Sequence, residues 1–171
     1  RQPSLYPVIR LDFSQIKALS KQEQFSDALK NYLYKSFSHL GFAYDPSRTS
    51  FFAQLDSWLR QQGPNSIVLL IDEYDAPLTE RLGDTTAFNA VRDMLTQFFA
   101  ILKSNEGCLR FFFMTGITKF SNTSIFSAFN NLEDISLDPL YGTLLGYTEE
   151  EIVDNFGIYL DSAAQALSLS G

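Results

Sequence analysis

Ile67-Val68-Leu69-Leu70-Ile71-Asp72-Glu73-Tyr74-Asp75-Ala76-Pro77 decides how the rest of the chain is read. Its run of aliphatic residues predicts a strand buried on both faces, as in the middle of a parallel sheet. Three carboxylates, Asp72, Glu73 and Asp75, follow at once. An unpaired carboxylate beside a core is costly unless it meets water, a cation or hydrogen-bond donors. Pro77 cannot continue a central strand, so the chain is expected to leave the sheet there. The acidic cluster then lies at the carboxyl edge of the sheet, where ligands bind in open α/β folds.

Downstream, Asp84 is placed to cap a helix whose stripe is Phe88, Val91, Leu95, Phe98 and Leu102, closed by Gly107. Leu109 to Met114 is a second near-continuous apolar strand, ending in Thr115 and Gly116. Two buried strands joined by a helix make a βαβ unit with parallel strands. Upstream, Tyr6 to Phe13 reads as a short strand. Ser20 with Glu23 forms a capping box for a helix carrying Phe25, Leu29, Tyr32, Leu33, Phe37 and Leu40, stopped by Gly41. Ser47 to Gln62 repeats that design with Phe51, Phe52, Leu55, Trp58 and Leu59, ending at Gly63-Pro64. An aromatic stripe at helical spacing is core before it is a base-stacking platform, and Trp58 is assigned to the core.

Beyond Gly116, residues 119–131 read as a polar loop with one or two helical turns around Phe120, Phe126 and Phe129. Leu132 to Pro139 is expected to form a short strand, with Ile135 and Leu137 on one face. Thr148 and Glu151 make a capping box for a closing helix with Ile152, Val153, Phe156, Leu160, Ala163, Ala164 and Leu167 on its apolar face. At 171 residues one domain is expected, divided into a core over 1–145 and the start of a C-terminal helical region over 146–171.

A formal net charge of −7 argues against a broad nucleic-acid or anionic-membrane footprint, and no direct nucleic-acid site is expected. Cys108 has no partner cysteine for a disulfide or a zinc site, and no apolar run is long enough to span a bilayer. A cytoplasmic location without membrane contact is the expectation. His39, the one histidine, has no second ligand nearby in sequence and is assigned a structural or surface role.

A hydrophobic strand ending in Asp72-Glu73 has the form of a Walker B element. There the aspartate orients Mg²⁺ and the glutamate polarises the attacking water. Neighbouring side chains at a strand end point to opposite faces, which lets one carboxylate serve the metal while the other reaches the nucleophile. Metal hydrolases and glycosidases also place carboxylates at strand ends. Thr115 stands where P-loop ATPases carry a polar sensor beside the γ-phosphate; its plainer reading is a threonine satisfying a strand end before the turn at Gly116.

Several blocks together carry a family resemblance: Pro7 to Ser14, Leu70 to Leu78, Thr115 to Ser121, Ile125 to Ser127, Asn130 to Leu137, and Gly146 to Glu151. In order and wording they closely resemble the bacterial AAA-ATPase-like domain, a branch of the P-loop NTPases whose members often carry a nuclease-like domain downstream. The resemblance implies an α/β fold: a three-layer, P-loop NTPase-like, mainly parallel sheet with flanking helices. It implies ATP and Mg²⁺ as cofactors, Asp72 as the metal-orienting and cofactor-binding aspartate, Glu73 as the catalytic glutamate, and Thr115 as the sensor. Asp75 and Lys119 belong to the family's wording without an assigned role.

One departure stands out. The phosphate loop G-x-x-x-x-G-K-[ST] neutralises nucleotide phosphates through backbone N–H groups and its lysine, and the chain contains no such sequence. In the family it lies upstream of the block matching Pro7 to Ser14, so it and the first strand are expected to precede Arg1. The gap would fall between the strand ending at Thr115 and one near Ile135, to be covered by another segment or chain or closed by those two strands meeting. The leading expectation is thus the Walker B and sensor portion of an ATPase acting as a switch in a longer protein, itself a candidate oligomer. The alternatives are a non-hydrolysing regulatory or interaction module that keeps the fold, and a nucleotide-independent metal hydrolase built on Asp72, Glu73 and Asp75.

Overall fold

In a computed structural model, residues 5–16, 22–118, 132–144 and 146–167 are described. The expected loop over 119–131, with Lys119 and its three phenylalanines, lies outside them, as does the Ser20 end of the first capping box. The chain divides into two compact units, 1–130 and 131–171, each described by itself.

The first unit holds a parallel sheet of three strands, β1 (Val8–Asp12), β2 (Ile67–Asp72) and β3 (Leu109–Met114), with β2 in the middle. Along β2, Ile67, Leu69 and Ile71 are buried while Val68, Leu70 and Asp72 are half-exposed. The strand is therefore covered fully on one face only, a correction to the expected burial on both. The covering layer comes from α1 (Gln22–Ser38), α2 (Phe51–Arg60) and α4 (Thr85–Ser104), which contact one another. Their stripes, including Phe25, Leu29, Leu33, Leu55, Leu59, Leu95 and Phe98, form one core with Ile9 and Leu11 of β1 and Ile67, Leu69 and Ile71 of β2. Trp58 is half-buried, edge-on to Phe37 at 5.9 Å, as a core assignment requires. A third layer is not present among the described residues of this unit. The opposite face leaves Val8 and Phe111 more than half exposed, at 56% and 54%.

Register matters at β3. Ile67 pairs with Leu109 but Val68 pairs with Phe111, so Arg110 has no partner and β3 carries one extra residue. From there the pairs run regularly to Ile71 and Met114, and the ladder continues with the Thr115 amide donating to the Ile71 carbonyl at 2.9 Å.

The helices begin and end where local donors dictate. The α1 helix gives way at Gly41, whose N–H bonds the Ser38 carbonyl at 2.9 Å and whose φ of +90° turns the Phe42 N–H back to the Phe37 carbonyl at 3.4 Å. The α2 helix starts at Phe51 rather than near Ser47: Asp45 takes the Ser47 amide and hydroxyl at 2.9 and 2.6 Å, and Ser50 caps the Ala53 amide instead. Asp84 caps α4 through the Ala87 amide at 3.0 Å, as expected, but the helix stops at Asn105 before Gly107. Asn105 spends its side-chain amide on Asp56 of α2 at 2.8 Å and on the Ile101 carbonyl, tying two helices together.

In the second unit the expected strand at Leu132–Pro139 does not form. Asp134 accepts from the Ser136 amide at 3.1 Å and Asp138 from the Leu140 amide at 2.9 Å. These bonds fold the segment into turns and a 3-10 turn at Pro139–Tyr141, leaving no strand there for β3 to close upon. The capping box at Thr148 and Glu151 is present, with bonds of 3.1 and 2.8 Å, and opens α5 (Glu149–Ala166).

Two outcomes check this fold. Gly41→Ala meets no steric obstacle but must hold a left-handed φ, and should cost about 1–2 kcal/mol in chemical denaturation. The Asp56 carboxyl is held below its ordinary value chiefly by the hydrogen bond from Arg60 and then by Asn105. Asp56→Ala should cost about 1 kcal/mol at neutral pH. A lowered folded pKa contributes fully above the unfolded value of about 3.9, so that difference should shrink as the pH falls below it.

Candidate functional site

The three strands deliver their ends to one edge and one face. Asp12 pairs with Asp72 across β1 and β2, and the shifted register of β3 sets Thr115 beside Asp72. The Thr115 hydroxyl donates to Asp72 Oδ1, and the Thr115 hydroxyl oxygen in turn accepts the Glu73 amide at 3.4 Å. Arg10, one step back on the Asp12 face, places its guanidinium 3.8 Å from Asp72 Oδ2. Its exposure makes this a weak pair. Asp12 and Asp72 are like charges on neighbouring strands, which disfavours them unless each is compensated. Asp12 takes the Ser14 hydroxyl and amide at 2.5 and 3.0 Å and the Gln15 amide group at 3.1 Å. The Ser14 hydroxyl bond is the main reason its carboxyl lies below its ordinary value.

Glu73 leaves the strand with φ +50°, a left-handed conformation rare for a residue with a side chain. Such a conformation costs about 1–3 kcal/mol and persists where neighbours over-determine it. Both flanks are pinned. Tyr74 donates its amide to the Thr115 carbonyl at 3.0 Å, and the Ala76 amide bonds the Glu73 carbonyl at 3.0 Å as the short α3 (Ala76–Thr79) begins. Pro77 falls in the first turn of α3, where a missing N–H is harmless. Asp72 and Glu73 stay half-exposed while Tyr74 and Asp75 are buried.

Asp72, Glu73 and Thr115 are thus brought together, and Asp75 is not part of their group. Its carboxylate accepts the Thr118 amide at 2.6 Å and the Ile117 amide at 3.1 Å. It makes no side-chain cap for α3, although it precedes that helix. Three carboxylates close in sequence therefore do not converge on one point. No group of three His, Cys, Asp or Glu that could hold a metal ion occurs among the described residues. A half-exposed carboxylate with a neighbouring hydroxyl instead fits Mg²⁺, which takes one or two carboxylates together with substrate phosphates rather than an all-protein cage. His39 is exposed, and Cys108 is buried with its thiol pKa pushed up by that burial.

The sequence does not single out Arg10, Asp12 or Tyr74, and it marks Gly116 only as a turn. The alternation in Arg10-Leu11-Asp12 carried a usable signal, because it puts two charges on one face of a strand. If the φ of Glu73 is strained as described, Glu73→Gly should leave stability unchanged or raise it by up to about 1 kcal/mol despite losing the carboxylate. A clear loss in a denaturant titration would mean the glutamate side chain makes a stabilising contact.

Residues 1–126 match the family described as predicted AAA-ATPase. A segment of 101 residues is 37% identical to an uncharacterized protein in the vnfD 5′ region of Azotobacter chroococcum mcd 1, covering 59% of this chain and 20% of that relative. No solved structure matches the chain. The matched span takes in all three strands, the acidic turn after β2 and the Thr115-Gly116 exit of β3, and the chain belongs to the AAA-ATPase-like family.

Proposed function

We propose that this chain supplies the metal- and water-facing side of an ATP- and Mg²⁺-dependent hydrolase site that acts as a switch in a longer protein. Asp72 orients Mg²⁺, Glu73 polarises the attacking water, and Thr115 is the sensor at the γ-phosphate. The observation that carries this is the grouping of the Asp72 and Thr115 side chains and the Glu73 amide at the carboxyl edge of a parallel sheet, with the Thr115 hydroxyl on the Asp72 carboxylate. Family membership supports nucleotide as the ligand.

The chain's own residues divide the work. Asp72 Oδ1 is engaged by Thr115, and Oδ2, 3.8 Å from the Arg10 guanidinium, is the oxygen that would orient a metal ion or its water once Arg10 swings aside. Glu73 follows β2 in a left-handed conformation and remains half-exposed, available to take a hydrogen bond from a water beside the phosphate. Thr115 joins both, touching Asp72 through its hydroxyl and the Glu73 amide through the same oxygen. Bound Mg²⁺ would neutralise charge developing on the phosphates during in-line attack.

In the full-length protein, Glu73→Gln should reduce ATP turnover by about a hundredfold or more while sparing ATP binding. Asp72→Asn should instead weaken Mg²⁺-dependent binding. Unchanged turnover in Glu73→Gln removes Glu73 from its role, and a wild-type protein that binds ATP without turnover converts the site to a non-hydrolysing module. The present 171-residue chain, with no phosphate loop in its sequence, should bind ATP weakly or not at all by calorimetry.

A further inference from the structure

We propose that Asp75 is a positioning residue: its buried carboxylate clips the exit of β3 onto the acidic turn after β2, and that clip fixes the backbone of Glu73. This rests on the hydrolase reading for its consequence in turnover, but its structural content stands independently of nucleotide.

Asp75 is 2% exposed, and its carboxylate takes the Ile117 and Thr118 amides. Tyr74, 5% exposed, donates its hydroxyl to the Thr118 carbonyl at 2.6 Å. One residue of the β3 exit is thereby held through both its amide and its carbonyl, by adjacent side chains of the β2 exit. Gly116 makes the approach feasible. A Cβ there would lie 2.4 Å from Tyr74 Cε1 and 2.7 Å from Asp75 Oδ1, so any side chain would push the two turns apart.

The placement of Glu73 follows from what brackets it. On one side, the Thr115 amide is bonded to Ile71; on the other, the Tyr74 amide is bonded to the Thr115 carbonyl. Glu73 therefore bridges two points fastened to the same residue of β3, and its left-handed φ closes that short span. Tyr74 and Asp75 keep the far end in place. Without the Asp75 carboxylate, residues 116–118 are released, the Tyr74-to-Thr115 bond opens more often, and Glu73 is free to relax to a negative φ that redirects its side chain. Asp75 touches neither the candidate metal position nor Glu73's carboxylate, so its effect is exerted through the backbone.

The test has two arms. Amide hydrogen exchange on this chain compares wild type with Asp75→Asn, which keeps one acceptor oxygen of the two and removes the charge that strengthens its bonds to the Ile117 and Thr118 amides. Exchange should quicken by roughly tenfold at Ile117 and Thr118, and also at Tyr74, whose own acceptor is untouched, while amides within α4 keep their protection. Unchanged exchange at Tyr74 overturns the inference, since the carboxylate then orders only its own loop. Tyr74→Phe, which removes a single hydroxyl, decides the same question if Asp75→Asn fails to fold, by the exchange of the residue-74 amide that donates to the Thr115 carbonyl, with an unchanged rate there overturning the clip.

In the full-length protein, Asp75→Asn should lower kcat by roughly tenfold with KM for ATP nearly constant, and Gly116→Ala should reproduce that split. If wild type turns over ATP and Asp75→Asn does so equally well, the positioning role is overturned while the hydrolase reading stands. If wild type does not turn over ATP, the hydrolase reading fails and the exchange arm alone decides the clip.

Discussion

A carboxylate withdrawn from water is stable only where donors replace its hydration, and the end of β2 delivers three of them in quick succession. Each is satisfied differently. Asp72 takes a hydroxyl from the neighbouring strand and faces an arginine, Glu73 stays half in solvent, and Asp75 takes two amides from the loop beyond β3. The arrangement of the surrounding backbone follows from these demands. The ladder must extend past the strands so that Thr115 meets Asp72, and the β3 exit must present its N–H groups toward Asp75. A glycine is required where the two turns touch.

Much of this was legible in the sequence because it depends on local patterns. The aliphatic runs gave β2 and β3, the 3.6-residue spacing gave the stripes of α1 and α4, and the Thr148–Glu151 pair gave the start of α5. What escaped was set by competition or by distance. An apolar run signals the capacity for burial on both faces and says nothing of whether a second layer is there to provide it. At Leu132–Pro139, the apolar alternation was outweighed by Asp134 and Asp138 binding amides two residues ahead, a local bond that forms at lower entropic cost than a ladder. The same preference at Asp45 moved the start of α2.

For the candidate site, the sequence identified Asp72, Glu73 and Thr115 and left their grouping to the sheet. It could not separate Asp75 from its neighbours, because three carboxylates in one tetrapeptide look alike until the backbone turns. The left-handed φ of Glu73 is the physical event that divides them, leaving two carboxylates half-exposed and burying the third among amides.

The unpaired Arg110 gives this grouping a dependence on counting. Before it, β3 is in step with β2 through Leu109; after it, every residue is one place later than an unbroken ladder would set it. An unbroken ladder would bring Met114 rather than Thr115 beside Asp72, substituting a thioether for the hydroxyl. Straightening that bulge with Arg110 retained would thus alter the chemistry at the opposite end of β3 without touching any side chain there, whereas deleting Arg110 itself would leave Thr115 beside Asp72. The irregularity at Arg110 can vary in side chain, but its presence within β3 is part of the site.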